Sequence, residues 1–238
     1  LNLERYVISN NATDPFSDPS LYTEGFSGVW QHFDAAGESR FFAMTTAYVS
    51  NYTFSAAVNS VPTVSLGLVA YGSGIGQVDI ATGNMTGATD AEFLDAFIYP
   101  KQVVLSFPEP NTLSGIVSTN AVESFNISFN MNREVRNRIG QQKKTPETFI
   151  SYPMEATLTL EIDVDDYSTP AINDLLCQDP ETLHINLRNC DGSDIRSFEF
   201  SSGVLQSASM TEEVRNINRA TLQYTKYITN DDDFGFWF

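Results

Sequence analysis

Apolar and polar residues alternate strictly along two segments of the chain, 124–132 and 155–165. The apolar positions are Phe125, Ile127, Phe129 and Met131 in the first segment, and Ala156, Leu158, Leu160, Ile162 and Val164 in the second. The positions between them are polar or acidic. Successive side chains of a strand point to opposite faces, so each segment predicts a strand with one buried and one wet face.

A seven-residue stretch is repeated three times in related form, at 49–55, 122–128 and 205–211. The first and third copies keep one offset well beyond the stretch, so that Leu66 corresponds to Leu222 and Tyr71 to Tyr227. Each copy is followed by a second alternating segment, which predicts three β-hairpins; the first turns at 59–62. Strand pairs need neighbours to cover their faces and edges. The repeat therefore favours an assembly over a catalyst.

The rest of the chain predicts shorter elements. Residues 1–24 are polar and rich in turn signals, which indicates an extended arm, and the glycines of 72–76 favour a flexible linker. The other predicted elements are helices at 91–97 and 171–177, a strand at 101–107, and a tight hairpin of 183–187 with 195–200 around Asp191-Gly192.

Composition limits the classes of function. The 238 residues include 30 acidic and 13 basic side chains, for a net charge of −17. A hydrophobic content of 42% with 17 Phe and 10 Tyr predicts a folded chain. Such acidity argues against wrapping nucleic acid, which needs a basic surface, but not against DNA passing nearby. No apolar run has the length of a membrane span, so we expect a soluble product made in the cytoplasm and not inserted in a membrane.

The residue types that carry catalysis are sparse. The two histidines, His32 and His184, do not adjoin a nucleophile motif. The two cysteines, Cys177 and Cys190, lack the partners of a zinc site and are expected to be reduced thiols. The aspartate runs at 163–166 and 231–233 lack the glycine and distal glutamate of a calcium loop. We therefore expect no enzyme activity, no metal and no cofactor.

Basic residues are concentrated between the strands of the second hairpin. Five of the thirteen lie within 133–153: Arg133, Arg136, Arg138, Lys143 and Lys144. Two to five residues suffice to connect a hairpin, so this connection is unusually long. A long basic loop in an acidic chain predicts contact with an acidic partner.

From the second copy onward the sequence resembles bacteriophage major tail tube proteins. The resemblance covers about residues 115–230 and depends on the order of the elements: a long-looped hairpin, a short helix, a tight hairpin and a closing hairpin. The stretches that carry it are 122–128, Arg138-Ile139-Gly140, Thr145-Pro146-Glu147, Tyr152-Pro153 and the alternating strand 156–164. Residues 1–47 and 72–115 depart from a minimal tube protein.

This resemblance implies an all-β fold, a β-sandwich or partly rolled barrel of antiparallel strands with a short flanking helix. Subunits would form rings, usually of six, that stack into a tube with a β-lined channel. Polar strand residues would line the channel: Ser124, Asn126, Ser128, Glu155, Glu161, Asp163, Thr221 and Thr225. Their negative charge would repel phosphates and let DNA slide through without specific binding.

The same resemblance assigns the loop 133–153, with its five basic residues, to the contact between stacked rings. The chain would be one tail-tube-like domain, with a lead-in (1–47), an additional hairpin (48–115), the tube core (116–230) and an acidic aromatic tail (231–238). It would be a structural virion protein of the tail, assembled in the host cytoplasm. Its partners would be other copies of itself, with sheath, baseplate or terminator proteins as further candidates.

Two alternatives stand beside this interpretation. One keeps the fold and makes the chain a specialised ring, an initiator or a terminator of the tube. The other is a β-sandwich carbohydrate-binding or adhesive module, with Trp30, Trp237 and the tyrosines as the sugar platform. The sequence leaves open a contractile or non-contractile tail, and a ring of six subunits or of three that each carry two related modules.

Overall fold

The chain folds as β-strands throughout the part that the computed structural model describes, which comprises residues 2–6, 26–33, 39–75, 103–106, 122–136, 147–164, 181–188, 194–212 and 218–230. No helix occurs in these ranges. The strands are β1 (Asn2–Tyr6), β2 (Phe26–Phe33), β3 (Ser39–Ala57), β4 (Thr63–Ile75), β5 (Val103–Ser106), β6 (Val122–Asn130), β7 (Arg133–Arg136), β8 (Glu147–Ile150), β9 (Met154–Val164), β10 (Glu181–Arg188), β11 (Asp194–Glu212) and β12 (Asn218–Ile228).

Ten of these strands form one curled antiparallel sheet, a half-barrel, so the predicted all-β fold is confirmed. The strand order is β1-β4-β3-β6-β9-β12-β11-β10-β5, and β2 pairs with the first half of β3. Among the described strands, the remaining two, β7 and β8, pair only with each other and form a separate hairpin.

The three predicted hairpins are present and adjacent in the sheet. They are β3–β4, β6–β9 and β11–β12, and the second lies between the other two. The first copy meets the second where Thr53 pairs with Ser128, and the second meets the third where Thr159 pairs with Gln223. The first copy therefore continues the same sheet. Hairpins with matching faces can share a sheet in this way because they bury their apolar sides together.

The apolar face of the sheet is the core. The predicted inward residues of the second hairpin, from Phe125 to Ile162, are at most 4% exposed where the structure describes them. A ribbon of β5, β10 and the first half of β11 completes the core with Leu183, Ile185, Leu187, Phe198 and Phe200. Strand β11 serves both parts, because its residues 194–203 pair with β10 and its residues 204–212 pair with β12.

Two predictions for the N-terminal half are corrected by the pairing. Gly72 and Gly74 lie within β4 and pair with Thr45 and Ala43, so 72–75 is strand and not linker. Main-chain hydrogen bonds hold a strand whatever its side chains are, and β3 is long enough to extend the ladder. The start of the predicted arm is the edge strand β1, which pairs with β4 from Asn2 to Tyr6.

Strand β2 was not predicted, because its sequence lacks alternation. The predicted tight hairpin is confirmed in β10 and β11, and the predicted strand at 101–107 is confirmed over Val103–Ser106. The predicted helices at 91–97 and 171–177 and the tail 231–238 lie outside the described residues.

Candidate functional site

The face of the sheet opposite the core is mainly polar, and we call it the polar face. Two complete rows of paired residues cross it from β4 through β3, β6, β9 and β12 to β11. The first row is Ser65, Thr53, Ser128, Thr157, Thr225 and Val204, and the second is Thr63, Ser55, Asn126, Thr159, Gln223 and Ser207. Eleven of these twelve side chains are hydroxyls or amides. Six strands span about 24 Å at the usual strand spacing.

The structure places all eight predicted channel residues on this face. Ser124 pairs with Glu161, and Glu161 pairs with Thr221 on the next strand. Glu155 lies opposite Tyr227, and Asp163 lies opposite Arg219. They share one face because successive residues of a strand point to opposite sides.

Side chains of the polar face hydrogen-bond to one another across the strands. The Ser124 hydroxyl donates to Oε2 of Glu161 at 2.6 Å, and Nδ2 of Asn126 donates to Oγ of Ser55 at 2.6 Å. Ser128 and Thr157 share a hydrogen bond of 2.7 Å between their hydroxyls. These bonds occupy part of the donor capacity of the face. A surface of this kind has fewer groups available to hold a phosphate.

Charge on the polar face is mainly negative in the described strands. Its acidic side chains are those of Glu155, Glu161 and Asp163, and the basic residue Arg219 lies opposite Asp163. The Arg219 guanidinium forms an ion pair with Glu123 at 2.5 Å, with both side chains about one third exposed. This pair offsets the cation, so the three carboxylates set the sign of the face.

Two open depressions lie on this face. The larger, of about 800 Å³, lies beside the β3–β4 turn and is lined by residues that include Ser60, Ser124 and Glu161. The smaller, of about 310 Å³, lies near the other end of the strands and is lined by residues that include Asn130 and Glu155. Both are open to solvent. The described residues contain no cluster of three or more metal-ligating side chains.

Thr225 differs from the other candidates because it is only 4% exposed. Val204 lies opposite it, and Tyr227 lies two residues along on the same face. At this exposure the Thr225 side chain is not available to a ligand or a channel in this structure. Tyr227, which is 59% exposed, is the surface residue that the sequence prediction missed. The repeat aligned it with Tyr71, and alternation along the strand from Thr225 places it on the polar face.

The basic loop begins as an ordered hairpin, with Arg133 paired to Ile150 and Arg136 paired to Glu147. Arg133 is half-buried and bonds within its own chain: Nε donates to the carbonyl of Val49 at 2.7 Å. Of the other predicted contact residues, Arg136 is described in its backbone only, and Arg138, Lys143 and Lys144 lie outside the described residues.

Strong chemical sites are absent from the described part of the chain. His184 lies on β10 with its Nδ1 4.0 Å from Oε2 of Glu199, and both side chains are well exposed. No described helix has the length and apolar character to span a membrane. Comparison with protein-family models and with curated protein sequences gives no match. The class that the fold defines is an antiparallel all-β half-barrel.

Proposed function

We propose that this chain is a structural subunit of a tail-type tube, in which copies form stacked rings and the polar face lines a channel for DNA. The observation that carries the proposal is the polar face itself, six strands wide and formed by hydroxyl, amide and carboxylate side chains. The resemblance of residues 115–230 to major tail tube proteins supports it. The localisation that follows is the virion tail.

The open shape of the sheet also supports assembly. Among the described strands, β1 and β5 stand at the two ends of the sheet. Unpaired strand edges are a ready template for pairing with another chain. Closure of several half-barrels into a ring would cover such edges, and it would turn polar faces towards one lumen.

The side chains of the polar face favour the passage of DNA along the face over the binding of DNA to it. Phosphate binding depends on lysine and arginine, and the cation at the acidic end of this face is already paired with Glu123. Carboxylates on the wall of a channel would repel a polyanion at short range. DNA would therefore move along the wall instead of binding to it.

One observation favours a second candidate, the carbohydrate-binding module. Tyr227 presents an exposed ring on the polar face opposite Glu155, which lines the 310 Å³ depression together with Asn51 and Asn130. An exposed aromatic ring beside amides and a carboxylate is a common way to bind a sugar. The channel proposal is preferred because it uses the whole width of the face.

Negative-stain electron microscopy of the purified protein over a range of concentrations tests the proposal. We expect rings or hollow tubes, and a projection down the ring axis then gives the number of subunits. A protein that stays monomeric by analytical ultracentrifugation at high concentration and binds oligosaccharides on a glycan array contradicts it. A short run of rings that never elongates supports the specialised-ring alternative.

A further inference from the structure

We infer that Arg133 is a positioning residue that fixes the β7–β8 hairpin, the base of the basic loop, against the sheet. The hairpin pairs with no other strand among the described residues, so its orientation must come from other contacts. Arg133 is the first residue of β7, and its side chain contacts both the main sheet and the hairpin.

Strand β3 leaves a gap at the place where Arg133 binds. On one edge, β2 pairs with β3 as far as Ala47, and β6 begins to pair at Asn51. Between those two points no described strand pairs with that edge of β3. The amide of Met131 donates to the carbonyl of Ser50 at 2.8 Å, and Nε of Arg133 donates to the carbonyl of Val49 at 2.7 Å.

The guanidinium uses its face as well as its edge. Its central carbon lies 4.9 Å from the centre of the Tyr48 ring, within the range of a cation–π contact. Its terminal nitrogens approach Oγ1 of Thr148 at 3.5 Å and Sδ of Met131 at 3.8 Å. One side chain thus connects β3, the end of β6 and β8.

Arginine is required for this arrangement on chemical grounds. A planar guanidinium donates in several fixed directions and stacks on an aromatic ring at the same time. Lysine keeps the positive charge, but its ammonium group lacks both the fixed donor directions and the planar surface of a guanidinium. The geometry therefore assigns Arg133 to positioning the hairpin, and we expect it not to contact a neighbouring copy.

This role has a consequence that rests on the proposed function. If the basic loop contacts the next ring, a hairpin held in one orientation presents that loop to its partner without first losing conformational freedom. Loss of the anchor would lower the fraction of subunits that can stack, and the apparent association would weaken in proportion.

Hydrogen exchange measured by mass spectrometry on the full chain tests the anchor. We expect Arg133→Lys and Tyr48→Leu to raise exchange about tenfold or more in 133–136 and 147–150, a change equivalent to about 1.4 kcal/mol. Exchange in β9 should stay at the wild-type rate. Arg188→Lys on β10 is the matched control and should leave the hairpin unchanged.

Two results would overturn the inference. One is wild-type protection of the hairpin in both variants, and the other is faster exchange spread evenly over the whole sheet, which would make Arg133 a general stabilising residue. Tube growth measured by light scattering tests whether the anchor assists stacking. If Arg133→Lys tubes grow at the wild-type rate, the anchor does not assist stacking. If the wild-type protein forms no tubes, the proposed function fails, while the exchange data still decide the anchor.

Discussion

The ring centres of Phe54 and Phe198 lie 4.5 Å apart, with an angle of 55° between the ring planes. Phe54 belongs to β3 of the main sheet, and Phe198 belongs to the part of β11 that pairs with β10. Phe198 also meets Phe125 of β6 edge-on at 5.8 Å. This aromatic cluster joins the ribbon to the apolar face of the main sheet.

Phe198→Ala should therefore lower the free energy of unfolding by about 3–5 kcal/mol, the usual cost of removing a buried phenylalanine ring. Urea unfolding followed by circular dichroism measures it. Ser197→Ala is the control, because Ser197 is exposed and adjacent, and it should change stability by less than about 0.5 kcal/mol. A loss below about 1 kcal/mol for Phe198→Ala would show that the two layers do not depend on this cluster.

Gly67 and Asn51 should be energetically coupled. A Cβ added at Gly67 would lie 2.6 Å from Cγ of Asn51, which is too close for both side chains to keep their places. Gly67→Ala alone should cost about 1 kcal/mol, because Asn51 must move. In an Asn51→Ala background the same substitution should be close to neutral, since alanine suits a strand better than glycine does. A double-mutant cycle measures the coupling, and additive effects would contradict the predicted clash.

Charge reversal on the polar face tests its assignment to the channel. Glu161→Lys combined with Asp163→Lys should leave tube assembly intact and reduce DNA delivery at least tenfold, because lysines in the wall would bind phosphates. The effect should weaken as salt is raised. Infectious titre measures delivery, and electron microscopy measures assembly.

The neutral pair Glu161→Gln and Asp163→Asn is the control for this experiment. It has nearly the same shape, and a glutamine carbonyl can still accept the hydrogen bond from Ser124. Its titre should fall much less than that of the lysine pair. Normal infectivity with both lysines in assembled tubes would remove the channel assignment.

Charge reversal in the basic loop tests the contact between rings. Arg136→Glu combined with Lys143→Glu should prevent rings from stacking while the subunit stays folded, because like charges would face each other across the contact. Tube length in micrographs is the measurement. The neutral pair Arg136→Gln and Lys143→Gln should give tubes of intermediate length, and wild-type length in the glutamate pair would refute the contact.

Much of the sheet was predictable from alternation. The core face is predicted by Phe125, Ile127 and Phe129, and the polar face by Ser124, Asn126 and Ser128. A two-residue period places each residue on one of two sides. The same rule did not predict β2, whose residues do not alternate. It also gave the wrong structure for 72–75, because these glycine-rich residues are held as a strand by main-chain hydrogen bonds to β3.

The sequence by itself determined that three hairpins exist and which face of each is wet, because both are local properties of the strand period. Only the tertiary structure decided that the hairpins share one sheet, that Thr225 is covered beside Val204 and Tyr227, and that Arg133 bonds to β3. Those features depend on register and on contacts between residues up to 84 positions apart. No local pattern encodes such contacts, because they form only when the sheet curls.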